Sequence, residues 1–171
     1  MNRAKNFLLT ATLVFVTAAN CFAANPYIGT WRFNEAKSKM HAGVTKNNTI
    51  TYSEEGDKIK ATTDGTDSDG RPSHSVWVGK FDGKAYPVKG NPYHNAERYR
   101  MINDDTVGVE GLQGGKVMWW GTITISKDGK TRTATLHSTD ANGKKYTVKK
   151  VYDRMRGSNQ RLPAQCAHLI L

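Results

Sequence analysis

Histidines, cysteines and hydroxyl groups are the side chains in this sequence best suited to catalysis or to metal binding. The five histidines are His41, His74, His94, His137 and His168. No two of them are two or four residues apart, the spacing that places two metal ligands on one face of a strand or helix. There is no Gly-x-Ser-x-Gly motif and no glycine-rich phosphate loop opening a helix. We therefore predict a protein that is not an enzyme and that binds no metal and no cofactor.

A group of aspartates before Gly70 is similar to a calcium-binding loop, because Asp67 and Asp69 alternate with other residues. In a calcium loop the first and twelfth positions also supply oxygen ligands. Here Gly65 stands at the first position and Val76 at the twelfth. We expect an acidic hairpin turn in place of a calcium site.

A further kind of chemistry is the binding of a small apolar ligand, which requires apolar side chains around a cavity and a few convergent polar groups. Side chains at every second position of a strand share one face. By this rule the candidates for a ligand-binding interior are Phe33, Tyr52, Tyr99, Met101, Trp119, Ile123, Leu136, Val148 and Lys150. Arg98, with Lys150 and Tyr99, is a candidate for the polar contacts. Inward-facing residues also fill small barrels that bind nothing, so a filled core remains the alternative.

The elements that would position these side chains are short strands separated by tight turns. Runs rich in Thr, Val, Ile, Tyr and Trp alternate with turn pairs such as Asp82-Gly83, Asp128-Gly129 and Asn142-Gly143. Asp-Gly and Asn-Gly favour hairpins, because residues with positive φ match the twist of paired strands. The predicted strands are 27–34, 48–54, 57–66, 72–81, 84–89, 96–103, 106–112, 116–126, 131–138 and 144–154. We interpret segment 35–47 as a loop with at most one short helix.

About ten strands, each joined to the next, predict an all-β fold. An open sheet of this size would leave two long edges, whereas closure removes both, so we expect an antiparallel up-and-down β-barrel. A two-sheet sandwich is the structural alternative. With an even number of strands the end of the last strand lies beside the beginning of the first, which brings Arg154 close to Gly29 and Trp31. We predict that Arg154 lies across the Trp31 ring as a cation–π pair and closes the floor of the barrel.

Several motifs in order along the chain carry a family resemblance. They are Gly29-Thr30-Trp31 with the following 32–39, the segment from Phe81 to Pro92, the turn 126–131 and Val151-Tyr152-Asp153. Gly-x-Trp near the start of a barrel is similar to the calycin group, which includes lipocalins and fatty-acid-binding proteins. The whole set resembles small exported bacterial lipocalin-like proteins, most of them without assigned function. The resemblance spans residues 25–154 and implies a barrel with possible ligand binding, but no catalytic residues.

Both ends of the chain fall outside the predicted barrel. Residues 1–23 have basic residues, an apolar run and a small-residue cleavage site after Ala23, which together predict a secretory signal peptide. Cleavage would remove Arg3 and Lys5, so the formal charge of +10 would fall to +8, and would leave Cys166 as the one cysteine. We predict a barrel over 24–154, a mobile tail over 155–171, and a periplasmic or secreted location.

The outer surface supports a second functional hypothesis. If Trp119 faces inward, Trp120 faces outward, where it is covered by the chain's own tail or exposed as part of a contact surface. Lysines at 144, 145, 149 and 150 make the last strand basic, which suits an acidic envelope polymer or protein partner. We expect no specific nucleic-acid binding, no membrane span and a monomer. The leading hypothesis is an exported barrel binding a small apolar ligand, with access past segment 35–47. The alternative is an interaction or inhibitor module with a filled core.

Overall fold

The computed structural model describes residues 25–156, which form ten β-strands and no helix. The strands are β1 (Gly29–Phe33), β2 (Lys46–Glu55), β3 (Lys58–Thr66), β4 (Pro72–Gly79), β5 (Asp82–Lys89), β6 (Ala96–Asn103), β7 (Thr106–Gln113), β8 (Lys116–Ile125), β9 (Thr131–Thr139) and β10 (Lys145–Arg154). Each strand pairs antiparallel with its neighbours along the chain, and β1 pairs with β10. The predicted up-and-down barrel is therefore confirmed, and the sandwich is wrong. The predicted signal peptide and residues 157–171 of the predicted tail lie outside the described residues.

The hairpin turns form at the predicted turn pairs. In the turn between β8 and β9, Gly129 has a φ of +67°, and the Asp128 carboxylate accepts hydrogen bonds from the Lys130 backbone N–H at 3.0 Å and the Ser126 hydroxyl at 2.6 Å. Such side-chain acceptors satisfy turn N–H groups that no strand partner reaches. The turn residues therefore fix both the reversal of the chain and the register of the strands beside it.

One end of the barrel is closed by a floor built on Trp31, which is fully buried. The guanidinium carbon of Arg154 lies 4.1 Å from the centroid of the Trp31 ring. Its nitrogens donate to three backbone carbonyls: those of Gly129 at 2.5 Å, Ile28 at 2.6 Å and Pro26 at 2.5 Å. Arg154 therefore joins the last strand, the β8–β9 turn and the segment before β1 in one contact.

Gly29 leaves the space that Arg154 needs. Its φ is +128°, a conformation that L side chains rarely adopt, and a Cβ built there would lie 2.7 Å from Nη1 of Arg154. The register Trp31 to Arg154 in the β1–β10 pair places both side chains at this end of the barrel. A side chain at position 29 would displace the guanidinium from the floor.

A cluster of aromatic rings packs above the floor. Phe81 lies 5.2 Å from Tyr27 and 5.4 Å from Tyr99, and Trp77 lies 4.5 Å from Tyr99, measured between ring centroids. Large rings at offset or edge-on angles fill the lower half of the barrel.

Segment 34–45 completes the wall of the other half of the barrel. β1 has only five residues whereas β2 and β10 have ten each. On the side away from β9, part of β10 therefore has no strand beside it. There the backbones of Lys39 and Lys149 exchange hydrogen bonds of 2.8 and 2.9 Å, and the Val151 N–H donates to the Ser38 hydroxyl at 2.9 Å. The predicted loop is thus tied to the barrel over part of its length.

Candidate functional site

The candidate site is a cavity of about 380 Å³ in the half of the barrel away from the Trp31 floor. Its lining includes residues of two connections at that end, among them Val44 and Asn91, and the last residue of β9, Thr139. Tyr93 and Met118 also line it and are 47% and 43% exposed. The cavity is therefore in contact with solvent at this end, which we call the mouth.

Seven of the nine predicted interior residues line this cavity. They are Tyr52, Tyr99, Trp119, Ile123, Leu136, Val148 and Lys150. They come from five different strands, β2, β6, β8, β9 and β10, and the barrel closure brings them together. The structure thus places these side chains around one space, whereas their role in binding a ligand remains a prediction.

Two predicted interior residues lie elsewhere. Met101 is 43% exposed, although Val107, its partner in the β6–β7 ladder, is buried. Phe33, the last residue of β1, packs edge-on against Tyr152 with 5.6 Å between ring centroids and does not line the cavity. The assignment of Met101 to the interior was wrong, because its side chain is exposed. Phe33 packs against the core, as its position two residues after Trp31 predicts, but it is not among the residues that line the cavity.

Arg98, the polar candidate on β6, also does not line the cavity. Its Nη1 donates to the Glu110 carboxylate at 2.6 Å, and both side chains are partly exposed. Since Tyr99 faces inward, the residue before it must face outward. The prediction that Arg98 contributes a polar contact inside the barrel was therefore wrong.

Arg132 is the charged group at the base of the cavity. It is 3% exposed, and its Nη2 donates to the Tyr52 hydroxyl at 3.1 Å. Its guanidinium carbon lies 4.8 Å from the ring centroid of Tyr152 and 5.6 Å from that of Tyr52. Arginine stays charged in proteins, so a full positive charge lies inside the barrel. Burial raises the pKa of the neighbouring Tyr152 hydroxyl to about 12, so this tyrosine is neutral at ordinary pH.

Lys150 supplies a second buried cationic side chain to the same cavity. It is 5% exposed, and its Nζ donates to the backbone carbonyl of Thr45 at 2.8 Å. Burial, together with the charge of Arg132, lowers the pKa of the Lys150 amine to about 8. The hydrogen bond also ties segment 34–45 to β10 at the mouth.

A carboxylate network occupies another part of the wall. One oxygen of Glu97 accepts from the His94 ring nitrogen Nε2 at 2.7 Å, and the other accepts from the Tyr99 hydroxyl at 2.9 Å. The His94 ring packs edge-on against Trp119, with 5.4 Å between ring centroids. Both oxygens of Glu97 therefore have partners within the wall.

Sequence reasoning missed Arg132, Glu97 and His94 as lining residues. For Arg132 the signal was present, because period 2 continued back from Leu136 and Ala134 reaches position 132. Glu97 precedes Tyr99 by two residues and shares its face in the same way. His94 lies in the connection before β6, where no strand periodicity applies.

No group of metal-binding side chains occurs within residues 25–156. The Asp67 carboxylate accepts hydrogen bonds from the backbone N–H groups of Asp69 and Arg71, both at 2.9 Å. This is the geometry of a capped turn, as predicted for that segment. In the same range, no helix has the length and apolar character needed to cross a membrane.

On the outer surface Trp120 is 43% exposed, and its ring lies 5.7 Å from that of His137. Trp119 faces the cavity, so the two tryptophans lie on opposite faces as predicted. The ring of Trp119 lies over Gly111, where a built Cβ would be 2.1 Å from it. The predicted covering of Trp120 by the tail involves residues outside the described range.

No protein-family model matches the sequence, and no curated protein matches it. Among solved structures, the protein EF1p2_mFAP2b, solved bound to DFHBI, is 13% identical, with 78% of this chain and 97% of that chain covered and a TM-score of 0.43. A redesigned β-barrel, mFAP1, also bound to DFHBI, is 18% identical, with 75% and 95% covered and a TM-score of 0.39. Likeness at this level transfers neither a ligand nor a function to this chain.

Proposed function

We propose that this protein is a carrier that holds a small, mainly apolar ligand inside its barrel. The observation that carries the proposal is the solvent-connected cavity of about 380 Å³. That volume falls within the range of roughly 300–1,000 Å³ that is usual for small-molecule sites. A filled core, the alternative explanation for the inward apolar residues, would leave no such space.

The composition of the walls supports the same proposal. Aliphatic side chains of Ile123, Leu136 and Val148 face aromatic rings across the cavity, and a few polar groups interrupt this surface. A ligand that displaces water from such walls gains binding free energy of about 25 cal/mol for each Å² of apolar surface buried. The proposal assigns no reaction to the site.

Binding of the neutral fluorescent probe Nile red tests the carrier proposal. Wild-type protein is expected to bind it with a micromolar dissociation constant and an increase in fluorescence. Ala134→Phe places a ring in the cavity and should weaken binding at least tenfold, because Ala134 is buried and lines the space. Thr135→Phe, the next residue on the same strand, faces outward and is the matched control. Absence of binding to correctly folded wild type would refute the proposal.

Native mass spectrometry of protein purified from its own host would identify a bound ligand directly. A co-purifying adduct of a few hundred daltons supports the carrier. The same spectrum tests export: we propose cleavage after Ala23, so the mature protein should begin at Ala24. An intact N-terminus in protein from the cell envelope would contradict that part.

The outer surface supports a second candidate function, an interaction with an envelope partner. The observation that favours it is the 43% exposure of Trp120, beside a shallow groove that also includes Arg100 and Ile102. A partner binding there should be lost from pull-down experiments with Trp120→Ala. If Trp120→Ala and Lys149→Glu both recover as much partner as the wild type does, this function is contradicted.

A further inference from the structure

The guanidinium of Arg132 is covered by protein on its faces, but two of its nitrogens lack hydrogen-bond acceptors in the described part of the chain. Nη2 is bonded to the Tyr52 hydroxyl, and the rings of Tyr52 and Tyr152 cover the group. Nε and Nη1 are buried, and within residues 25–156 neither has a partner. A guanidinium carries five N–H donors, of which three are on these two atoms.

An unpaired buried charge is unusual because it is costly. Burying a polar group without a hydrogen bond destabilises the folded state, and burying an uncompensated charge destabilises it more. Buried charges in proteins are therefore normally paired. Arg132 forms no ion pair within the described part of the chain.

Among residues 25–156, Glu97 is the one carboxylate that lines the cavity, and both of its oxygens already have hydrogen-bond partners. Both oxygens of Glu97 accept hydrogen bonds, from His94 and from Tyr99. Lys150 adds a second buried cationic side chain to the wall, and it is held by a backbone carbonyl and by no carboxylate. Within residues 25–156 the cavity therefore has two buried cationic side chains in its wall, and neither of them has a carboxylate partner.

We propose that the ligand is an amphipathic acid whose anionic oxygens accept hydrogen bonds from Nε and Nη1 of Arg132, while its apolar body extends towards the mouth. This inference rests on the carrier function proposed above and names the class of its ligand. A carboxylate fits best, because one guanidinium supplies one positive charge and planar N–H donors suited to carboxylate oxygens. Charge-assisted hydrogen bonds of this kind are roughly twice as strong as neutral ones.

The apolar walls above Arg132 fit the other end of such a ligand. Leu136 lies on β9, the strand that carries Arg132, and Ile123 lies on the neighbouring strand β8. Both side chains line the cavity. An acid bound at the base would bury its chain against them and leave its far end near Tyr93 at the mouth. A ligand without an acidic group would leave the two nitrogens unpaired in the bound state.

Displacement of Nile red by matched acid and alcohol tests the inference. At pH 7, decanoate should displace the probe from wild type at a concentration about tenfold to a hundredfold lower than 1-decanol, which has the same chain length without charge. Decyl sulfate and decyl phosphate in the same assay assign the acidic group: preference for any of the three over decanol supports an acid, and their order identifies which. Equal displacement by all four compounds would overturn the inference.

A substitution tests whether the preference for the acid over the alcohol depends on Arg132. Arg132→Met should still bind Nile red and decanol but lose the preference for the acid, whereas Arg100→Met, which removes an exposed arginine, should keep it. A preference that survives in correctly folded Arg132→Met would also overturn the inference. If Arg132→Met does not fold, the acid–alcohol ratio in wild type decides. No Nile red binding in wild type would refute the carrier function itself, so the two failures are distinguishable.

Discussion

Replacing Lys150 by methionine should make the protein more stable at neutral pH. Lowering the pKa of the buried amine from 10.5 to about 8 means that the folded state disfavours the charged form. Since each pH unit of pKa difference corresponds to about 1.4 kcal/mol, the cost to folding at pH 7 is about 3 kcal/mol. Methionine has a similar length and no charge, but it loses the hydrogen bond to Thr45, which contributes about 1 kcal/mol. The expected net gain in free energy of unfolding is about 2 kcal/mol.

The sign of the pH dependence distinguishes this explanation from a simple packing effect. Between pH 8 and 10.5 the unfolded chain binds more protons at Lys150 than the folded chain, so the stability of wild type rises with pH across that window. The advantage of Lys150→Met should therefore shrink by about 2 kcal/mol between pH 7 and pH 9.5. Comparing the two proteins removes the contribution of the tyrosines, which both share.

Urea denaturation at pH 7 and at pH 9.5 measures both quantities. Lys149→Met is the matched control, because Lys149 is the preceding residue of β10 and its side chain is exposed. It should show no pH-dependent difference from wild type. A stability difference between Lys150→Met and wild type that is constant over this range would refute the reasoning, since the lysine would then not be deprotonating within the folded barrel.

Two further substitutions test the floor and the wall. Trp31→Ala should lower the free energy of unfolding by about 3–5 kcal/mol in urea denaturation, as for other large-to-small aromatic core changes, and a loss below about 1 kcal/mol would contradict the floor assignment. Gly111→Ala places a Cβ against the Trp119 ring, so the ring must move, at a cost of about 1–3 kcal/mol and with weaker Nile red binding. Gly108→Ala on the same strand, whose nearest neighbour would be 3.6 Å away, should change both measurements little.

The strands and the floor could be predicted because local chemistry determines them. The pair Asp128-Gly129 specifies a turn, and the strands beside it follow from β-branched and aromatic residues. Predicted strand ends differ from the observed ones by two residues at most. An even number of strands then placed Arg154 next to Trp31 without any information on distances, and the structure brings them into contact.

The remaining part of the site depends on side-chain exposure and on contacts between strands, which the alternation of residues along one strand does not determine. Met101 has the parity of Tyr99 and pairs with the buried Val107, yet its side chain is exposed. Arg132 has the parity of Leu136, yet an arginine near a strand end is usually exposed, and only the closed barrel shows that rings of Tyr52 and Tyr152 cover it. That two nitrogens of Arg132 lack hydrogen-bond acceptors within residues 25–156 can be recognised only from the positions of the neighbouring side chains.

The buried cationic side chains of the barrel have two different kinds of surroundings, and this difference is the physical basis for the ligand proposal. Arg154 at the floor has three carbonyl acceptors and an aromatic ring, so its charge contributes to the fold. Within residues 25–156 Arg132 lacks acceptors at two nitrogens, and burial disfavours the charged form of Lys150, so neither cation contributes to the stability of the fold in the way that Arg154 does. An anion bound to Arg132 would supply the missing acceptors, and its negative charge would raise the pKa of Lys150, so binding near pH 8 would take up a proton. Charges that oppose folding in the empty barrel would then favour the complex.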